Sequence, residues 1–192
     1  MNEPTTTRYA DCRHDIWIGD MLLFRRKSAI SKYSEGPYSH AAMATWYGNT
    51  LLCVESREWH GGRAVTLSSQ VEQHRGCIDV YRPKISGKQA ATCAEICVRQ
   101  TGHDYNYRGI LWASILRMPI VRAIYETLFA TELDPTADLK SAWHAPKFCS
   151  QLVAWCYRAV GFDAVPNMAD SFITPNHLGH SAGFVRVFGG LV

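Results

Sequence analysis

From Gly19 to Arg82 the chain is a succession of short apolar runs cut by turn residues. Asp20 to Arg25 follows Gly19 and predicts a strand. Residues 26–38 read as a loop or short helix that ends on the turn Glu35-Gly36-Pro37. Ser39–Tyr47 and Thr50–Ser56 flank the pair Gly48-Asn49, which predicts a β-hairpin with a two-residue loop. Gly61-Gly62 breaks the chain before a further β-rich run, Arg63–Leu67, and Cys77–Arg82 reads as another strand. The period then lengthens. Lys88–Thr101 places Ala90, Ala94, Cys97 and Val98 on one helical face, with Gly102 as its stop. Cys149, Leu152, Val153, Cys156 and Val160 recur at i, i+3, i+4, i+7 and i+11, one stripe of a second helix. Pro146 is tolerated near its start and Gly161 supplies its stop. Asp163–Gly179 is loop-rich, and Gly183–Val192 predicts a terminal strand. These elements predict an α+β fold.

The run 109–129 is apolar but interrupted by Arg117, Pro119, Arg122 and Glu126, so it predicts a kinked surface or lid helix rather than a membrane span. Membrane contact through it is the minor alternative. At 192 residues the expectation is one domain, with 1–15 a polar arm and 109–146 a helical insertion or lid. A net charge of +3, with basic residues scattered rather than patched, argues against nucleic acid as a partner. Seven cysteines, with no CxxC and no Cys/His zinc spacing, predict free thiols in a reducing compartment and no metal site. The polar stretch Met1–Ile16 does not resemble a signal peptide, so a cytoplasmic protein is expected, with phage- or effector-type delivery left open.

The candidate chemistry starts at Cys149. A thiol at a helix start meets unpaired N–H groups and the positive end of the dipole, which lower its pKa and favour the thiolate. A cysteine on an apolar stripe is also an ordinary core residue, so the nucleophile reading needs a base. The predicted hairpin supplies one. With a two-residue loop, Tyr47 faces Thr50, Ala44 faces Cys53 and Ala42 faces Glu55, so His40 and Glu55 share a face as diagonal neighbours. An imidazole oriented by a carboxylate is the supporting half of a nucleophilic triad. One residue of register slip would separate them. His60 and Glu58 are rival orienting groups past the strand end, and His144 is a rival base just upstream of the helix.

The set Gly19-Asp20, Ser39-His40, a Glu on the next strand and Phe148-Cys149-Ser150-Gln151 resembles the circularly permuted branch of the NlpC-like papain-fold cysteine peptidases. This is the YiiX-like group, related to lecithin–retinol acyltransferase. The order His40, Glu55, Cys149 is reversed from that of an unpermuted chain. The resemblance implies a permuted papain-like fold, with an antiparallel sheet packed against the nucleophile helix. It implies a cysteine hydrolase (peptidase or amidase) acting through a thioester on peptide or acyl substrates, cell-wall-type peptides among them, with no cofactor. A lipid acyl hydrolase or acyltransferase is the alternative, and a non-catalytic binding module is another. Catalytic roles fall to Cys149, His40 and Glu55. Gly102-His103-Asp104-Tyr105 resembles the family stretch whose Tyr lines the oxyanion side, so Tyr105, with Tyr38 and Ser150, is expected at the oxyanion or substrate side. Thr174-Pro175-Asn176-His177-Leu178 resembles a further family segment, with His177 where an acid is common.

Overall fold

The computed structural model describes residues 6–25, 36–106 and 145–192. Six strands form one antiparallel sheet: β1 (Met21–Phe24), β2 (His40–Tyr47), β3 (Thr50–Arg57), β4 (Gly61–Thr66), β5 (Ile78–Pro83) and β6 (Phe184–Phe188), in the order β4-β3-β2-β1-β5-β6. The helices include α1 (Tyr9–Cys12), α2 (Leu67–Gln73), α3 (Gly87–Val98), α4 (Cys149–Ala159) and α5 (Pro175–His180), with short 3-10 turns at Arg13–Asp15 and Asp170–Phe172.

β1 is central and wholly buried, which is why Met-Leu-Leu-Phe shows no alternation of polar and apolar residues. Its residues divide between two cores. Met21 and Leu23 join Ala41, Met43, Val54 and Tyr81 against helices α3 and α4. Leu22 and Phe24 join Ala42, Ala44, Cys53, Ile78 and Val80 on the other face, under Leu67 and Val71 of α2. Helix α4 is buried well beyond the stripe read from sequence, since Trp155 and Tyr157 are also in the core. The Tyr157 hydroxyl meets this burial by donating to Gly19 O at 2.7 Å. Gly161 stops the helix as expected, with a φ of 81°.

Several expectations shift. Residues 6–15 belong to no loose arm: Thr7 bridges Leu191, and Tyr9 N–H donates to Val192 O at 2.8 Å. Helix α2 went unread because it is short, and its start rests on the Thr66 side chain accepting from Ser69 N–H. Gly61-Gly62 begins a strand instead of breaking the chain, because both residues lie flush on the turn after α3. Gly62 N–H donates to His103 O at 2.8 Å, and Gly102 N–H returns to Gly62 O at 2.7 Å. The segment 163–179 gains α5 and a 3-10 turn. The helical lid expected over 109–146 falls, but for its last two residues, outside the described residues. Among the described residues, no helix is long and apolar enough to cross a membrane.

A Cβ at position 62 would stand 2.1 Å from Gln100 O, a backbone atom that can yield only with its turn. Gly62→Ala is expected to destabilise the chain by about 1–3 kcal/mol, measured by urea denaturation. An unchanged midpoint would show that the turn yields freely.

Candidate functional site

The site forms where two strands stop pairing. The β2–β3 ladder runs in the expected register from Tyr47↔Thr50 through Ala44↔Cys53 to Met43↔Val54 and ends there. The positive φ of Gly48 at the first of the two loop positions is the mark of a type II′ turn, which sets that register. Beyond Met43 the strands keep their outer partners: His40 stays opposite Phe24 of β1, and Glu55 and Arg57 stay opposite Arg63 and Gly61 of β4. The segment leading into α4 lies in this gap. Ser56 Oγ donates to Lys147 O at 2.5 Å, and the backbone N–H groups of Ala41 and Ser150 both reach the Cys149 sulfur.

Cys149 is the first residue of α4, with Phe148 as N-cap. Its sulfur thus lies toward N–H groups from both a strand and a helix start and beside the His40 ring, all of which favour the thiolate. The ring's other contact is the 2.5 Å bond between Nε2 and Glu55 Oε2, which leaves Nδ1 for the thiol. Glu55 Oε1 accepts from Arg63 Nε at 2.8 Å and Nη2 at 2.6 Å. Phe24 packs edge-on against the imidazole at 5.2 Å between centroids. Three contacts therefore link Cys149, His40, Glu55 and Arg63 in one chain, with the first three residues buried.

Burial opposes every charge in this chain, and the contacts overcome it. Desolvation would push the Cys149 thiol up, yet the His40 charge, its hydrogen bond and the two backbone N–H groups bring it below its ordinary value of 9.0. Desolvation would lower His40, but the Cys149 thiolate and then Glu55 raise it to about 9. Burial likewise disfavours the Glu55 carboxylate, and His40 and Arg63 outweigh it, holding Glu55 at about 2. Both shifts favour the thiolate–imidazolium form of the pair. Other thiols behave in the opposite way: burial pushes Cys53, Cys93 and Cys156 up.

The oxyanion-side expectations divide. Tyr105 is buried and joined by a parallel bridge to Lys147, two residues before Cys149. Its neighbour Asn106 donates through Nδ2 to Gln151 Oε1 at 3.3 Å, and the same oxygen accepts from Phe148 N–H at 3.4 Å. Tyr38 is turned elsewhere: its hydroxyl donates to Asp79 Oδ2 at 2.6 Å and lies 2.9 Å from the Tyr81 hydroxyl, so it is no oxyanion donor. The Ser150 hydroxyl is also engaged, donating to Ile173 O at 2.6 Å, and only its backbone N–H faces the sulfur. His60 and Glu58 are exposed on the β3–β4 turn, away from the role of orienting group. His144 lies outside the described residues.

Sequence reasoning missed Arg63 and Asn176. Arg63 was legible in principle, since a second hairpin through residues 58–60 would place it opposite Glu55. The segment after the helix acquires a role. Asn176 accepts from Tyr38 N–H at 2.8 Å and donates to Tyr38 O at 2.9 Å, clamping the chain two residues before His40. Ile173 of the same segment holds Ser150 beside Cys149. His177 caps the helix that carries this clamp, through reciprocal bonds with Thr174.

No family model and no curated protein matches the chain. Among solved structures it is similar to the metalloprotein YiiX from Escherichia coli O157:H7. The TM-score is 0.60 at 13% identity, over 92% of this chain and 98% of that one. The chain shares that fold. At this identity the likeness concerns the backbone alone.

Two outcomes follow from the geometry. Asn176→Ala would leave the Tyr38 amide and carbonyl without their partner, costing about 1–3 kcal/mol. It should also slow alkylation of Cys149, read by denaturation and by timed labelling; full stability and an unaltered rate would remove the clamp from the account. The pH dependence has two sides. Because His40 is held above its ordinary 6.5, its stabilising share is complete below that value and lost as pH rises through about 9. Because Glu55 is held below its ordinary 4.5, its share is complete above that value and lost as pH falls through about 2. Cys149 should therefore react with iodoacetamide at neutral pH, and Glu55→Gln should move the His40 titration downward. Labelling of Cys149 that begins only near pH 9 would contradict the ion pair.

Proposed function

We propose that this chain is a cysteine hydrolase of circularly permuted papain-like architecture, acting on an amide or ester. The observation that carries the reading is the position of His40, beside a thiol at a helix start on one side and bonded on the other to a buried, arginine-held carboxylate. The YiiX-like backbone supports the architecture, and the order His40, Glu55, Cys149 is the permuted one.

In this reading the Cys149 thiolate attacks the substrate carbonyl carbon and the carbonyl π electrons move to oxygen. Backbone N–H groups at the start of α4 hold that oxyanion, with Tyr105 as the side-chain donor. Each donor is worth roughly 3 kcal/mol where one has been removed from other enzymes. Collapse of the adduct forms a thioester, and the leaving amine or alcohol takes the His40 proton. His40, now neutral, draws a proton from water, the hydroxide oxygen attacks the thioester, and the acid departs as the thiolate and imidazolium are restored. Glu55 fixes the ring and stabilises its charge, and Arg63 keeps Glu55 ionised. Burial pushes the Cys53, Cys93 and Cys156 thiols up, whereas His40 brings Cys149 down, which makes Cys149 the thiol suited to attack. Seven unpaired thiols suit a reducing compartment, as in the cytoplasm.

YiiX is named a metalloprotein, but the residues here do not fit a metal at this position. Both Glu55 oxygens are engaged, one by His40 and one by a guanidinium that stands where a cation would bind. Among the described residues no three His, Cys, Asp or Glu side chains are grouped to hold a metal. No step is routed through one.

An activity-based probe for thiol hydrolases should form its adduct on Cys149, located by mass mapping, and a panel of peptide, amide and lipid esters should separate peptidase from acyl-lipid activity. His40→Ala should lower turnover about 10²- to 10⁴-fold, and Cys149→Ala should abolish it. An adduct on Cys53 or Cys156 instead would refute the nucleophile assignment. Full function in Cys149→Ser with no thiol sensitivity would mark a binding module.

A further inference from the structure

Arg57 has no task in the triad. It follows Glu55 by two residues on the same strand, and its guanidinium approaches Glu55 Oε1 only to 3.8 Å, beyond hydrogen-bonding distance. That oxygen already accepts two bonds from Arg63, and the other is taken by His40. The two arginines are equally shielded, with side chains 24% exposed, yet the Arg63 side chain is bonded twice to Glu55 and the Arg57 guanidinium forms no hydrogen bond among the described residues. Neither the adjacent Glu58 nor Asp104, whose Cα is close to Gly61, pairs with it. Charges along the chain cancel in pairs: thiolate with imidazolium, Glu55 with Arg63. Arg57 is one cation over: its only ion-pair partner among the described residues, Glu55 at 3.8 Å, is already held by His40 and Arg63.

Its backbone is also fixed. Arg57 pairs with Gly61, whose missing Cβ would fall 2.2 Å from His103 O, so the turn between them is tied to the segment that leads to Tyr105. At the tip of that turn Trp59 is held at a φ of 67° with 86% of its surface exposed, an unusual conformation for a bulky residue. A guanidinium whose donors no described residue takes, held on a fixed backbone next to the Glu55 carboxylate, makes a recognition element for an anionic group.

Resting on the hydrolase reading of Cys149, we propose that Arg57 is a specificity-determining residue that binds an oxyanion, carboxylate or phosphate type, on the acyl substrate. The anion takes the guanidinium donors that no protein group uses, and so places the acyl carbonyl relative to Cys149.

Three 4-nitrophenyl esters of one acyl length test this: pentanoate, the glutarate hemiester and 4-phosphonobutanoate. The wild-type chain is expected to favour at least one anionic ester over pentanoate about tenfold in kcat/KM, and which one identifies the source of the anion. Arg57→Gln should bring that ratio to near one, Arg57→Lys should retain part of it, and added salt should erode it in the wild type. Thermal melting of both variants separates recognition from misfolding; if Arg57→Gln does not fold, Arg57→Lys and the salt series decide. Equal rates on charged and neutral esters, or a ratio that survives Arg57→Gln, would overturn the proposal and leave the hydrolase reading standing. Failure of every ester to acylate Cys149 would bring down both.

Discussion

The site depends on the parting of β2 and β3. Strands that pair to their ends leave no room for a helix terminus between them, and a helix terminus is what brings the N–H groups and dipole that favour a thiolate. Here the ladder ends at Met43↔Val54, while β1 and β4 keep the outer edges paired. The gap costs the sheet a few backbone bonds. One of these groups, Ala41 N–H, turns to the Cys149 sulfur, and the Ser56 side chain bonds the incoming chain at Lys147 O.

Electrostatics then follow from burial. A thiolate, an imidazolium and a carboxylate are each disfavoured away from water, and none would persist alone. Arranged in alternating sign and ended by a guanidinium, each favours the charged form of its neighbour, so removing a member leaves that neighbour a buried polar group without a partner. The same burial, without such partners, keeps the Cys93 and Cys156 thiols protonated. Environment rather than residue type distinguishes Cys149 from the other cysteines.

A second layer aligns the two halves. The segment from Ile173 to Leu178 touches both: Ile173 O fixes Ser150 beside Cys149, and Asn176 fixes Tyr38 before His40. Through it, Cys149 and His40 are tied to one segment although they are more than a hundred positions apart in the chain. Tyr38 itself is drawn away by Asp79, a wholly buried carboxylate that also accepts from Arg25, Arg186 and Gly190 N–H.

What the sequence determined by itself was local. Gly48-Asn49 sets the loop length, loop length sets the register, and register puts His40 and Glu55 on one face, because side chains alternate with period two. The 3.6-residue stripe likewise set Cys149 at the start of a helix, with Pro146 just before it and Gly161 after it acting by short-range backbone rules. Only the tertiary structure decided which groups meet across distance. Tyr38 and Ser150 stand beside the right residues in sequence, but their hydroxyls are captured by Asp79 and Ile173, partners that no periodicity reveals. Arg63 stayed hidden because Gly61-Gly62 reads as a break until the turn at 100–103 packs against it. Asn176 stayed hidden because an amide that clamps a backbone leaves no pattern in the strand it holds. Backbone periodicity is encoded over a few residues, whereas the pairing of buried polar groups is settled only when the whole chain has chosen its neighbours.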